Sequence, residues 1–203
     1  MSRYLKAAAC SLLCMLALLG CGEAKLPEHI EVNTLSVSRD GKVAAYLVSD
    51  FEKEYYDIGE LTSMAMEEAA AYNTEHAAGN GTPVVVEKVE TLEDGTSRVR
   101  ISYQYDSADT FNGFNEGDLF FGTVSEAVSA GYPVEAGSLE SVTGGAAADG
   151  AKVSGKHVLI TDEKAFIYCP YKVAYLSKGA VLNADGSVDT TGTDGSCVIL
   201  MAK

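Results

Sequence analysis

Residues 84–105 read VVVEKVETLEDGTSRVRISYQY, and this stretch decides the fold. Val84, Val85, Val86 and Val89 open an apolar, β-branched run, Asp94-Gly95 supplies a two-residue reversal, and Val99, Ile101, Tyr103 and Tyr105 return with a period of two. Aspartate-glycine between two such runs suits the primed turns that join antiparallel strands, because glycine accepts a positive φ without a Cβ clash. Side chains alternate across a strand, so the four returning apolar residues share one face and Arg98, Arg100, Ser102 and Gln104 the other. A long hairpin follows, with one face in the core and one in water.

The same signals recur on both sides. Thr34 to Ser38 and Lys42 to Ser49 alternate around Asp40-Gly41, a first hairpin. Asp57 stands three residues before Glu60, as in a capping box, and Ile58, Leu61, Met64, Ala65, Ala69 and Tyr72 follow at helical spacing. This helix is expected to run to about Ala78, with Gly79 as its left-handed cap and Pro83 barring continuation. Thr123 and Glu126 repeat the capping pattern before a short helix from Val124 to Ala130, which Gly131 ends. Residues 143–155, TGGAAADGAKVSG, are small and glycine-rich and read as a flexible loop that buries little. Beyond them His157–Thr161, Ala165–Cys169, Lys172–Ser177 and Cys197–Met201 read as four short strands. The expected architecture is α+β: an antiparallel sheet built from hairpins, packed against one long and one short helix, in a single domain over 34–203.

Composition agrees with a folded body. Of 203 residues 47% are hydrophobic and 22% charged, which argues against a disordered chain, and no period of 20 to 50 residues points to a solenoid. The formal net charge is −14. Two of the 15 basic residues, Arg3 and Lys6, fall in the first twenty positions and none of the 29 acidic ones does, so the rest carries 13 against 29, or −16. A nucleic-acid partner needs clustered Lys or Arg, and the nearest approach is Arg98 with Arg100. The acidity reads as a solubilising surface.

The N-terminus carries an address. A basic start (Arg3, Lys6) precedes an apolar run from Ala7 to Leu19, too short at thirteen residues for the roughly 18–20 of a membrane span. Leu18, Leu19, Gly20 and Cys21 then resemble the lipobox of bacterial lipoproteins. The resemblance covers the leader alone. It implies removal of 1–20 by cleavage between Gly20 and Cys21, with acyl chains on Cys21 holding the protein to membrane lipid on the extracytoplasmic side. Residues 21–33 would then be a lipidated tether with an extended reach of at most roughly 40 Å. Cys10 and Cys14 would leave with the leader. A disulfide is permitted between the remaining pair, Cys169 and Cys197, in such a compartment; two buried thiols is the other reading, and spacing does not choose between them.

Chemistry is sparse in the mature part. No Gly-x-Ser-x-Gly or Ser-x-x-Lys marks a nucleophile, and no His-Glu-x-x-His or Cys-x-x-Cys marks a metal. His29, His76 and His157 are far apart in sequence, and the glycines from 144 to 155 lack the ending of a phosphate loop. Asn183, Asp185, Ser187, Asp189 and Asp194 echo a calcium loop, but Gly186 is in the wrong register, so they read as a hairpin turn. No catalytic residue, metal or cofactor is assigned. Tyr103, Tyr105, Phe111, Phe114, Phe120 and Phe121 are either core or a surface for sugar or peptide. Three functions remain: an envelope module that binds a protein, peptide or glycan, an envelope hydrolase using two unassigned carboxylates, and the solute-binding component of a transporter.

Overall fold

The computed structural model describes residues 25–53, 56–79, 81–93 and 97–203. Its elements run β1 (Thr34–Val37), β2 (Val43–Asp50), α1 (Ile58–His76), β3 (Val84–Thr91), β4 (Arg98–Tyr105), α2 (Ala108–Asn115), β5 (Leu119–Thr123) and α3 (Val124–Ser129). After these come β6 (Glu140–Ser141), α4 (Gly150–Val153), β7 (His157–Thr161), β8 (Phe166–Tyr168), β9 (Val173–Leu176), β10 (Val181–Leu182), β11 (Val188–Asp189) and β12 (Cys197–Met201). The described residues thus form an α+β fold dominated by sheet.

Two sheets stand where one was expected. One has the order β10-β11-β8-β1-β2-β4-β3 and the other β5-β7-β12-β9-β6. Both predicted hairpins are present, β1 with β2 and β3 with β4, though the expected Asp94-Gly95 reversal lies outside the described residues. At the first turn Gly41 has φ +82° and donates its N–H to the Ser38 carbonyl oxygen at 3.0 Å. Pairing is antiparallel except where β1 lies parallel to β8, so the first strand joins the N-terminal hairpins to the C-terminal strands.

The register shows where the core sits. Val43 pairs with Tyr105 and Ala45 with Tyr103, and these share a face with Leu35, Val37, Ile167 and Val188. That face packs on Leu119, Leu159, Ile199 and Met201 of the second sheet in one buried cluster. The second sheet is covered on its other face too: Val158, Ile160, Val198 and Leu200 meet Val124 and Ala127 of α3 and Val153 of α4. Burial on both faces explains why Cys197–Met201 is apolar without alternation. The layers are therefore sheet, sheet and short helices.

α1 begins at Asp57, whose carboxylate accepts from the N–H groups of Gly59 (2.7 Å) and Glu60 (2.9 Å). It seats Ala65 and Ala69 in the main core, and Asn73 ties it to the edge strand: Asn73 Nδ2 donates to the Val84 carbonyl oxygen while Asn73 Oδ1 accepts from Val84 N–H. The helix stops at His76, with Ala77 as its cap, and Gly79 (φ +65°) follows two residues later. α3 has both halves of the predicted capping box. α2 was not foreseen, because Asn112, Gly113 and Asn115 are poor helix formers. Gly113 has a packing role, since a Cβ there would lie 2.6 Å from the Tyr72 hydroxyl of α1.

Three expectations need correction. The tether does not extend to residue 33: Ile30 is buried, and Arg100 Nη1 and Arg98 Nη1 donate to the carbonyl oxygens of Ile30 and Glu31, each at 2.8 Å. Phe166 N–H donates to the Asn33 carbonyl oxygen and Val48 N–H to Asn33 Oδ1, so residues 30–33 form a strap across the first sheet. The face expected to be wet is partly covered: Ser102 is buried, and Arg100 pairs with Glu90 beneath the Tyr46 ring. The 143–155 segment is not a bare loop, since it contains α4 and buries Ala148 and Val153.

Candidate functional site

The link between β7 and β8, residues 162–165, crosses from the second sheet to the first. A buried threonine fixes it: Thr190 Oγ1 donates to the Glu163 carbonyl oxygen at 2.6 Å and accepts from Ala165 N–H at 3.0 Å. Lys164 Nζ donates to Thr193 Oγ1 (2.7 Å) and to the Gly195 carbonyl oxygen (2.8 Å). Glu163 is thus held half-buried at the edge of a cavity of about 230 Å³, with Asn33, Leu35, Leu47, Phe111 and Asn115 among its walls. Gly117 makes room for it, because a Cβ there would lie 3.0 Å from Phe111 Cε1 and 3.1 Å from Glu163 Oε1.

No described residue donates a hydrogen bond to the Glu163 carboxylate. Burial, reinforced by the negative charge of Asp162, pushes its pKa above the usual carboxylate range. Other carboxyls that move go down: hydrogen bonding from Lys88 lowers Glu90, and the Thr123 main-chain N–H and hydroxyl lower Glu126. A carboxylate with a raised pKa at the wall of a cavity marks this cleft as the candidate site.

The remaining sequence candidates are dispersed. Gly20 and Cys21, with the whole leader, lie outside the described residues. Cys169 and Cys197 are buried thiols in the main core; burial pushes them up to about 12 and about 11. Tyr103 and Tyr105 of β4 and Phe111 of α2 are buried, with Phe114 of α2 packed against them, so these four are core. Phe120 and Phe121 part company, one toward Tyr132 at 5.0 Å and the other toward His157 at 5.8 Å, and the six aromatics make no single surface. A shallow groove of about 530 Å³ beside α3 touches both phenylalanines and Glu126.

His157 Nδ1 lies 3.1 Å from the Lys203 carbonyl oxygen, with its ring 4.6 Å from that of Tyr171, while His76 stacks on Tyr72 at 4.0 Å. His29 borders a larger cavity, about 560 Å³, between the strap and β3. Among the described residues no three His, Cys, Asp or Glu side chains are grouped to hold a metal ion. Asp185 Oδ1 accepts from Ser187 N–H and Ser187 Oγ within its own turn, as the hairpin reading requires, while its Oδ2 accepts from Tyr168 Oη of β8.

Glu163 escaped the sequence reading because Asp162-Glu163-Lys164 between two strands looks like an ordinary charged turn. Its environment comes from α2 and β1, about 50 and 130 residues away, and no local pattern reports it. Comparison with known proteins finds no matching family model, no matching curated protein and no matching solved structure.

Proposed function

We propose that this chain is a lipoprotein held on the extracytoplasmic side of a membrane by acyl chains on Cys21, and that its body is a binding module of the cell envelope. The leader carries the reading: a basic start, a short apolar run and Leu-Leu-Gly-Cys, in that order and at that spacing. Each buried methylene contributes about 0.8 kcal/mol, so two or more acyl chains anchor durably where one would not. No helix among the described residues is long and apolar enough to cross a membrane. With the strap starting at Ile30, the free linker from Cys21 reaches about 30 Å at most, so the sheet face carrying Arg98 and Arg100 would stay near the lipid surface.

Binding is favoured over hydrolysis by the Glu163 cleft. Glycoside hydrolysis uses two carboxyl groups about 5 to 9 Å apart across the substrate; this cavity is lined by one, while Glu28, Glu31, Glu90 and Glu93 line the larger cavity between the strap and β3. Mass spectrometry of the native product tests the anchor. A mature N-terminus at Cys21 carrying acyl mass, with Cys21→Ala shifting the protein out of the membrane fraction, is the expected result; an intact Met1 on the native protein overturns it.

A further inference from the structure

We infer that the Glu163 cleft is a binding site for the ammonium end of a small aliphatic amine. Three observations converge on the carboxylate. It is half-buried at the wall of a cavity, and no described residue donates to it. The neighbouring cation, Lys164, also lines the cavity, but its Nζ is committed to Thr193 Oγ1 and the Gly195 carbonyl oxygen. The backbone of Glu163 is pinned by Thr161 and Thr190, which fixes where its side chain leaves the link beside the cavity. The carboxylate is therefore open to a donor from outside the chain.

The chemistry of that donor follows from charge and size. Asp162 adds a second negative charge beside Glu163, and charge-assisted hydrogen bonds are roughly twice as strong as neutral ones, so a cation is preferred to a hydroxyl or amide. The cavity, about 230 Å³, falls below the roughly 300 to 1,000 Å³ of sites for drug-sized molecules, which limits the ligand to a few heavy atoms. Leu35, Leu47 and Phe111 supply an apolar wall for a short alkyl chain behind the charged end. Asn115 is occupied, its Nδ2 donating to the Phe111 carbonyl oxygen and its Oδ1 accepting from the Tyr105 hydroxyl, which leaves the carboxylate as the acceptor that discriminates.

This inference rests on the binding-module reading but not on the anchor, and the two fail separately: one in a ligand titration, the other in the mass of the N-terminus. The test is a heteronuclear NMR titration of the purified full chain with n-butylammonium chloride, and in parallel with n-butanol. Saturable shifts at Asn33, Asn115, Gly117 and Lys164 with the ammonium ion, and none with the alcohol, are expected. Equal response to both, or no response up to about 50 mM, overturns the inference, since a ligand of so few atoms should bind in the millimolar range. Glu163→Gln should weaken binding about tenfold or more; unchanged affinity in a folded Glu163→Gln protein also overturns it. Should that variant fail to fold, Gly117→Ala decides: it keeps the charge but puts a methyl group against Oε1, and retained affinity there counts against the site.

Discussion

Arg100 and Ile30 are joined across seventy residues, the guanidinium Nη1 donating to the Ile30 carbonyl oxygen at 2.8 Å while Nη2 binds the Glu90 carboxylate. One side chain thus ties the strap to the β3–β4 hairpin and neutralises a carboxylate on it. Lysine has no planar fork with which to do both. Arg100→Lys is expected to destabilise by about 1 to 3 kcal/mol in urea unfolding. Hydrogen exchange should quicken at Val48, whose N–H donates to Asn33 at the end of the strap. An unchanged unfolding midpoint would mean that the strap contributes nothing to stability.

Glu163 imposes a cost that depends on pH. Its pKa is raised in the folded state, so between the unfolded and folded values the native protein binds more protons than the unfolded one, and stability falls as pH rises through that window. Above that window the carboxylate is charged and has no donor among the described residues. Glu163→Gln should therefore raise Tm at pH 7, and the advantage should vanish below the ordinary glutamate range, where both side chains are neutral. A melting curve at pH 7 and another near pH 3.5 check this. A Tm gain equal at both pH values would assign the effect to packing instead of charge. A binding carboxylate that lowers stability is the usual trade between activity and robustness.

Much of the fold is legible because its signals are local. Asp-Gly turns, period-two runs and the Thr123–Glu126 box act within a few residues, and the hairpins and α3 followed from them. What failed was long-range. The two sheets arise because β7, β9 and β12 leave the first sheet, a choice made by packing against α3 and α4, and the parallel contact of β1 with β8 joins residues about 130 apart. The strap was hidden for the same reason: Ile30 sits among Glu28, His29 and Glu31, a polar stretch, and only the distant Arg98 and Arg100 give it somewhere to dock. The candidate site was wholly of this kind.

Gly179 and Gly192 lie backbone against backbone, in the turns before β10 and β12. Gly179 has φ +89°, and a Cβ on it would collide with the Gly192 carbonyl oxygen, a main-chain atom that cannot rotate away. Gly179→Ala is expected to cost about 2 kcal/mol or more, from the left-handed backbone and the clash together. Gly155→Ala is the control. No atom lies within 4 Å of its Cβ position, so that substitution should be neutral within about 0.5 kcal/mol. Equal effects at the two sites in urea unfolding would sink the argument from close approach.

Cys169 and Cys197 share the main core, and each should be inert in the native protein. The thiolate is the reactive form, and burial pushes Cys169 up to about 12, with the nearby Cys197 adding to the effect, so the thiol form prevails at pH 8. Access is closed as well, because Cys197 is fully buried at the start of β12. Peptide mapping after treatment with iodoacetamide should therefore find neither residue modified below the unfolding transition and both modified above it. The same mapping, done on protein denatured without reductant, separates the two readings left open by the sequence. Two alkylated cysteines match the thiols of this structure, whereas a crosslinked pair of peptides lighter by two hydrogens would show that the core closes a disulfide in its native compartment.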